Sequence, residues 1–290
     1  TSKDKDLIKF IPEKQTDSEN DDLNSYKSAK IRSDLYFETG TIEFSIYMTN
    51  EEDKVQLILG TEHNEVINIG LNNDKYAYGI SERIAGQYQH LHVEGFGIHP
   101  PINEWLTVKI SYIGSILELY INEVRVCKTN ITIHNSQVEI IYKGKKEVKV
   151  KDINFFPINP KAFVIMQFSD EFNSLYKEVI APLCQKYGYE VIRADDMYTT
   201  GLIINDITQA IKESSLIIAD ITPNNPNVYY EVGFAHGINK PTILLSDKKR
   251  EKLPFDISGF RLLFYQNSIA GKLEIETAFE KHLKAIKSTN

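Results

Sequence analysis

The chain has 290 residues, long for one hydrophobic core and comfortable for two. With 42% hydrophobic, 25% charged and 11% aromatic residues, its composition is that of a globular protein rather than a disordered one. A net charge of -7 disfavours duplex nucleic acid and anionic membrane as partners, because both call for clustered Lys and Arg.

Cys127 and Cys184 fall in different halves with no CxxC or Cys/His ligand spacing around them, so neither a disulfide scaffold nor a metal site is expected. No apolar run approaches the roughly 18 residues of a membrane span. The amino end, TSKDKDLIKF, also lacks the apolar centre of a secretory signal. These features predict a soluble cytoplasmic protein.

Residues 1 to 28 are polar and acidic and read as a mobile lead-in, with one short strand expected at Leu7 to Ile11. From 29 to 157 the apolar residues alternate with a period near two: TIEFSIYM, VQLILG, VINIGL, LTVKISYI, LELYINEVRV and VEIIYK. Gly, Asn and Asp turns separate these runs and no helical pattern intervenes. An antiparallel β-sandwich follows. The order of GTIEFSIYM, NEWLTVKISY, LELYINEVRV and a closing VKVKDINFF resembles the concanavalin-like or laminin-G-like jelly rolls, which implies Trp105 and Tyr112 as core or near-core aromatics and a recognition role. The ligand or protein that this half recognises is not specified by any motif. His90, His92 and His99 lie close in sequence and are expected on a solvated loop rather than at a metal.

From 161 to 290 the pattern changes. AFVIMQF at 162 to 168 is a continuous apolar run, as expected of a parallel strand covered on both faces. Over 169 to 187, Phe172, Leu175, Tyr176, Val179, Ile180, Leu183 and Tyr187 then form a helical stripe, with Ser169 a candidate N-cap. Further strands are predicted at YEVIRA, SLIIADI, PTILLS and RLLFYQ. Helices are predicted over 202 to 213, from Pro226 to Gly237, and over 274 to 286. The fold class is therefore a β-sandwich followed by an α/β flavodoxin-like domain with a five-stranded parallel sheet.

In such sheets ligands bind beyond the carboxyl ends of the strands. That rule selects Gln167 and Phe168 after the first strand, Asp195 and Tyr198 after the second, and Asp220 at the end of the third. Asn225-Pro226 then starts a helix in which Asn227 and Glu231 share a face, while Val228, Val232 and Ala235 point to the sheet. A carboxylate one turn inside a helix at the ligand edge suits chemistry at an anomeric carbon, where it stabilises or attacks an oxocarbenium-like centre. Glu231 is the candidate catalytic residue. Asp195, Asp220 and Asn227 would orient ribose or base, and Phe168, Tyr198 and Tyr230 would stack on a ring. The plainer readings are a solvated Glu231, an Asp220 that only organises its loop, a core position for one of Tyr229 and Tyr230, and a structural His236.

The segments FVIMQF, SSLIIADITPNNPNVYYEVGFAHGINKPTILL and LPFDISGFRLLFY resemble the TIR-like and nucleoside 2-deoxyribosyltransferase-like superfamily. Its E-x-G-x-A-x-x-x-x-K-P pattern matches Glu231, Gly233, Ala235, Lys240 and Pro241. The resemblance implies Glu231 as the carboxylate that acts at C1′ of a nucleotide. It also implies NAD+ as substrate rather than cofactor, activation by homo-oligomerisation, and an antiviral-defence role; base exchange on deoxynucleosides is the alternative, and nucleotide sensing without turnover a third. No cofactor is expected, since QFSDEF stands where a dinucleotide-binding GxGxxG would be.

Overall fold

The computed structural model describes residues 7–11, 27–60, 65–84, 86–133, 135–194, 203–250, 257 and 259–289. Its contacts divide the chain near residue 158 into two compact units.

The first unit holds two six-stranded antiparallel sheets. One consists of β1 (Ile8–Phe10), β12 (Val148–Pro157), β3 (Gly40–Met48), β8 (Trp105–Ile113), β9 (Ile116–Ile121) and β10 (Val124–Asn130), in that spatial order. The other runs β2 (Lys27–Phe37), β11 (Ser136–Gly144), β4 (Lys54–Leu59), β5 (Glu65–Asn73), β6 (Tyr76–Ile84) and β7 (Gln87–Phe96). Alternation builds the sandwich in β3, where Ile42, Phe44, Ile46 and Met48 are buried, whereas β4 is buried throughout from Val55 to Leu59. Phe10 of the first sheet stacks on Tyr142 of the second, ring centroids 5.6 Å apart, so these faces meet in one core.

Three features differ from the sequence reading. Strands β2, β6 and β7 occupy stretches for which the sequence pattern named no strand; β7 is polar and largely exposed because it is an edge strand, and its pattern carries little apolar signal. His90 and His92 therefore stand on a strand, His90 against Ser81 Oγ at 3.0 Å, and only His99 lies outside one. Trp105 is 40% exposed whereas Tyr112 is buried, since Leu106 takes the inward position of β8 and alternation turns Trp105 outward.

The second unit is a five-stranded parallel sheet, β13 (Lys161–Ile165), β14 (Glu190–Arg193), β15 (Leu216–Asp220), β16 (Thr242–Asp247) and β17 (Leu262–Tyr265), ordered β14-β13-β15-β16-β17. Both faces are covered, which is why its strands read as unbroken apolar runs. Ala162, Val164 and Met166 pack with Phe172, Val179, Ile180, Phe279 and Leu283 on one side. Phe163 and Ile165 pack with Ala210, Ile211, Val228, Val232 and Ala235 on the other.

The helices are α1 (Asp170–Leu175), α2 (Ala181–Lys186), α3 (Ile203–Glu213), α4 (Pro226–Gly237) and α5 (Ile269–Thr289). A π-helical turn, Tyr176–Ile180, joins α1 to α2 where the sequence predicted one regular helix. Ser169 holds the N-cap position without a side-chain cap bond, whereas Asn225 caps α4 by accepting from Asn227 N at 3.0 Å. Helix α5 begins five residues before its predicted start.

Lys240, from the K-P end of the motif, is buried and donates through Nζ to the carbonyls of Lys212 and Ser214. Burial lowers its pKa to about 7. It ties the end of α4 to the turn between α3 and β15. Lys240→Met keeps the apolar stem but leaves two carbonyls without that donor, and a loss of about 1–2 kcal/mol is expected in denaturant unfolding.

Candidate functional site

The parallel sheet reverses its strand order between β13 and β15, and chain crossovers diverge there to leave a crevice. A cleft of about 670 Å3 opens at this point, within the range of small-ligand sites. The end of β13 supplies Gln167 and Phe168, and α4 supplies Asn227, Tyr230 and Glu231. Ala194, Ile204 and Ile207 form an apolar wall. Five residues proposed from sequence thus meet in one place.

Glu231 is half-buried and lines the cleft, and among the described residues it has no hydrogen-bond or ion-pair partner. Desolvation alone raises its pKa to about 7. A carboxyl left without compensation in an apolar-walled cleft costs stability, a cost that functional sites commonly carry. The two tyrosines before it divide as alternation on the helix requires: Tyr229 packs against the sheet and receives Arg250 Nη2 on its hydroxyl, while Tyr230 is 55% exposed at the cleft.

Phe168 is 51% exposed at the mouth of the cleft. Behind it lies Arg193, only 6% exposed, whose guanidinium carbon is 5.3 Å from the Phe168 ring centroid and 4.4 Å from that of Tyr176. Its Nη1 donates to Asn173 Oδ1 at 2.8 Å. The sequence reading passed over Arg193 as part of the strand YEVIRA. The available signal was an arginine directly after the apolar pair Val191-Ile192 near the carboxyl end of the strand, because such a group needs partners built around it if it is buried.

Asp220 is not among the residues lining the cleft. It is buried, with Oδ2 accepting from the Tyr265 hydroxyl at 2.7 Å and Oδ1 from Thr222 N at 2.8 Å. Thr222 Oγ1 in turn accepts from Asp247 N at 2.8 Å, so the carboxylate organises the loop edge of β15, β16 and β17. Desolvation raises its pKa, with these hydrogen bonds opposing the shift. Asp195 and Tyr198 lie outside the described residues. His236 stacks on Phe260 with centroids 4.2 Å apart, on the side of α4 away from Glu231.

No group of three or more metal-ligating side chains occurs among the described residues, and no helix there is long and apolar enough to cross a membrane.

No family model and no curated protein matches the sequence. Solved structures similar over part of the chain are jelly-roll β-sandwiches. One is a carbohydrate-binding module from Bacillus subtilis, with TM-score 0.38 and 10% identity over 43% of this chain and 80% of that one. A second is the beta-glucanase of Bacillus licheniformis, with TM-score 0.36 and 11% identity over 44% and 71%. A third is a homodimeric agglutinin from chicken liver, with TM-score 0.34 and 12% identity over 45% and 100%. These likenesses concern general architecture, and no activity is carried over from them.

Proposed function

We propose that the second unit cleaves the N-glycosidic bond of a nucleotide, with NAD+ the favoured substrate and Glu231 the catalytic carboxylate. The observation that carries this reading is the placement of Glu231: a lone carboxyl, raised to about 7 by desolvation, in a cleft whose flanks present Phe168 and Tyr230. In the reaction the C1′–N bond breaks and its electron pair passes to the ring nitrogen, so the pyridinium departs as neutral nicotinamide. The positive charge that develops on the ribose is stabilised by ionised Glu231. Water then bonds to C1′ and releases a proton, which the carboxylate accepts and passes to solvent. Asn227, on the same wall, is positioned to contact the ribose hydroxyls.

The β14-β13-β15-β16-β17 order supports a flavodoxin-like assignment for this unit. The quoted motifs support membership in the TIR-like and deoxyribosyltransferase-like superfamily. On the same reading the sandwich is a concanavalin-like or laminin-G-like recognition domain for a separate ligand or protein, and the whole is a cytoplasmic effector of antiviral defence activated by self-association.

The test incubates the full chain at several concentrations with NAD+ and, separately, with deoxynucleosides plus a free base. Nicotinamide release, steeper at high concentration, is the expected outcome. Base exchange would assign the cleft to transferase chemistry, and inertness towards both substrates at every concentration would overturn N-glycosidic cleavage.

The proposed role fixes the sign of the pH dependence. Only the ionised carboxylate stabilises the cation, so kcat/KM should rise about tenfold per pH unit below 7 and level off above it. A flat profile between pH 5 and 9 would remove Glu231 from the charge-stabilising role.

A further inference from the structure

Cleavage of the kind proposed above separates a ribosyl group from a base, and the two walls of the cleft divide that work. The α4 wall carries Asn227 and Glu231, the polar groups suited to the sugar. The β13 wall carries the ring of Phe168 and, directly before it, Gln167. Apart from Gln167 that wall is apolar, completed by Val164, Ile165 and Met166.

Strand β13 ends at Ile165, and Met166 beyond it is still buried. Gln167 is therefore the first polar residue at the carboxyl edge, half-buried and lining the cleft. Among the described residues its side-chain amide has no hydrogen-bond partner, whereas Asn225, also on the cleft, spends Oδ1 on the cap of α4. An amide holds two donors and an acceptor in one plane, and half-burying it unpaired costs free energy that a matching ligand would recover.

Resting on the N-glycosidase reading, we infer that Gln167 determines which base can leave: it selects a ring bearing a carboxamide, the nicotinamide of NAD+, through a reciprocal pair of hydrogen bonds. Gln167 Nε2 donates to the carboxamide oxygen and Gln167 Oε1 accepts from the carboxamide NH2, while the ring stacks on Phe168. The pair sorts ligands by pattern rather than by size. A ketone in place of the carboxamide offers an acceptor alone and leaves Oε1 facing a methyl group. A carboxylate offers two acceptors and sets an anion against Oε1. A site built around a hydrogen bond rejects an analogue that lacks it more strongly than an apolar pocket rejects a change in size.

The experiment titrates the full chain with nicotinamide and with 3-acetylpyridine by ligand-observed NMR. It compares the ratio of their affinities across variants, so that intrinsic differences between the probes cancel. Wild type should prefer nicotinamide about tenfold more than Gln167→Leu does, the effect of one hydrogen bond and of the acceptor left unmatched. Gln167→Glu separates hydrogen bonding from shape. Its carboxylate still accepts from the carboxamide NH2 but has no donor for the ketone oxygen, so at pH 8 the preference should match or exceed that of wild type. In turnover, the ratio of kcat/KM for NAD+ over its 3-acetylpyridine analogue should also fall about tenfold in Gln167→Leu.

Equal ratios in wild type, Gln167→Leu and Gln167→Glu, or a wild type that binds neither probe, would overturn the inference. The N-glycosidase reading would still stand wherever nicotinamide release from NAD+ requires Glu231. A preference that depends on Gln167, without release of nicotinamide from NAD+, would instead overturn cleavage and keep the carboxamide subsite.

Discussion

Replacing Glu231 with Gln should reduce nicotinamide release from NAD+ by at least about a thousandfold while making the protein more stable at pH 8. On the proposed reading the activity loss follows from removing the only anion among the described cleft residues, and a thousandfold corresponds to about 4 kcal/mol of transition-state stabilisation, the upper end for one electrostatic group. The stability gain follows from linkage. The folded pKa of about 7 lies above the ordinary 4.5, so the folded state holds its proton more tightly than the unfolded chain. Stability therefore falls as pH rises from 4.5 through 7, and the penalty persists above that. The full shift would correspond to about 3 kcal/mol, and partial exposure of the side chain discounts it to about 1–2 kcal/mol. Gln carries no such charge. Chemical denaturation of both proteins at pH 4 and pH 8 should show equal stability at the lower value and a gain for Glu231→Gln at the higher. Lost activity with lower stability at both values would assign Glu231 to the fold instead.

The largest effect on stability is expected at Asp220. Asp220→Ala strips the buried Tyr265 hydroxyl and Thr222 N of their acceptor and should cost about 2–4 kcal/mol, with a drop in Tm of about 10 °C. Asp220→Asn should cost much less. Its amide oxygen can accept from Thr222 N and its NH2 can donate to the Tyr265 oxygen, whose own proton turns to Thr222 Oγ1 at 3.1 Å. Equal damage from both substitutions, or an undamaged fold in Asp220→Ala, would refute the loop-organising role. The contrast with Glu231 is informative: two acidic residues near the carboxyl edge of one sheet differ because one has every oxygen engaged and the other has none engaged among the described residues.

That contrast was only half visible in the sequence. The apolar runs AFVIMQF and SLIIADI identified buried parallel strands, and the spacing of Val228, Val232 and Ala235 fixed which face of α4 meets the sheet. Fixing that face also fixed the opposite one, so Asn227 and Glu231 followed by geometry. Tyr230 followed in the same way, since a helix cannot turn both Tyr229 and Tyr230 towards one sheet.

Strand β7 was hidden because an exposed edge strand has little apolar pattern to show, and β6 because Gly79 and Ser81 stand among its buried positions. Trp105 was misplaced because bulk and aromaticity suggest burial, whereas a single step of alternation decides it.

By itself the sequence determined a change of pattern near residue 160, the apolar strands and the helices of the second unit, and the helix face that carries Glu231. Periodicity records which side of an element is dry, and that information is local. Only the tertiary structure decided that Asp220 belongs to Tyr265 and Thr222 rather than to a ligand, and that Arg193 stands between Tyr176 and Phe168. Those partners lie on different strands and helices, and no spacing along the chain encodes which distant groups a buried polar side chain will meet.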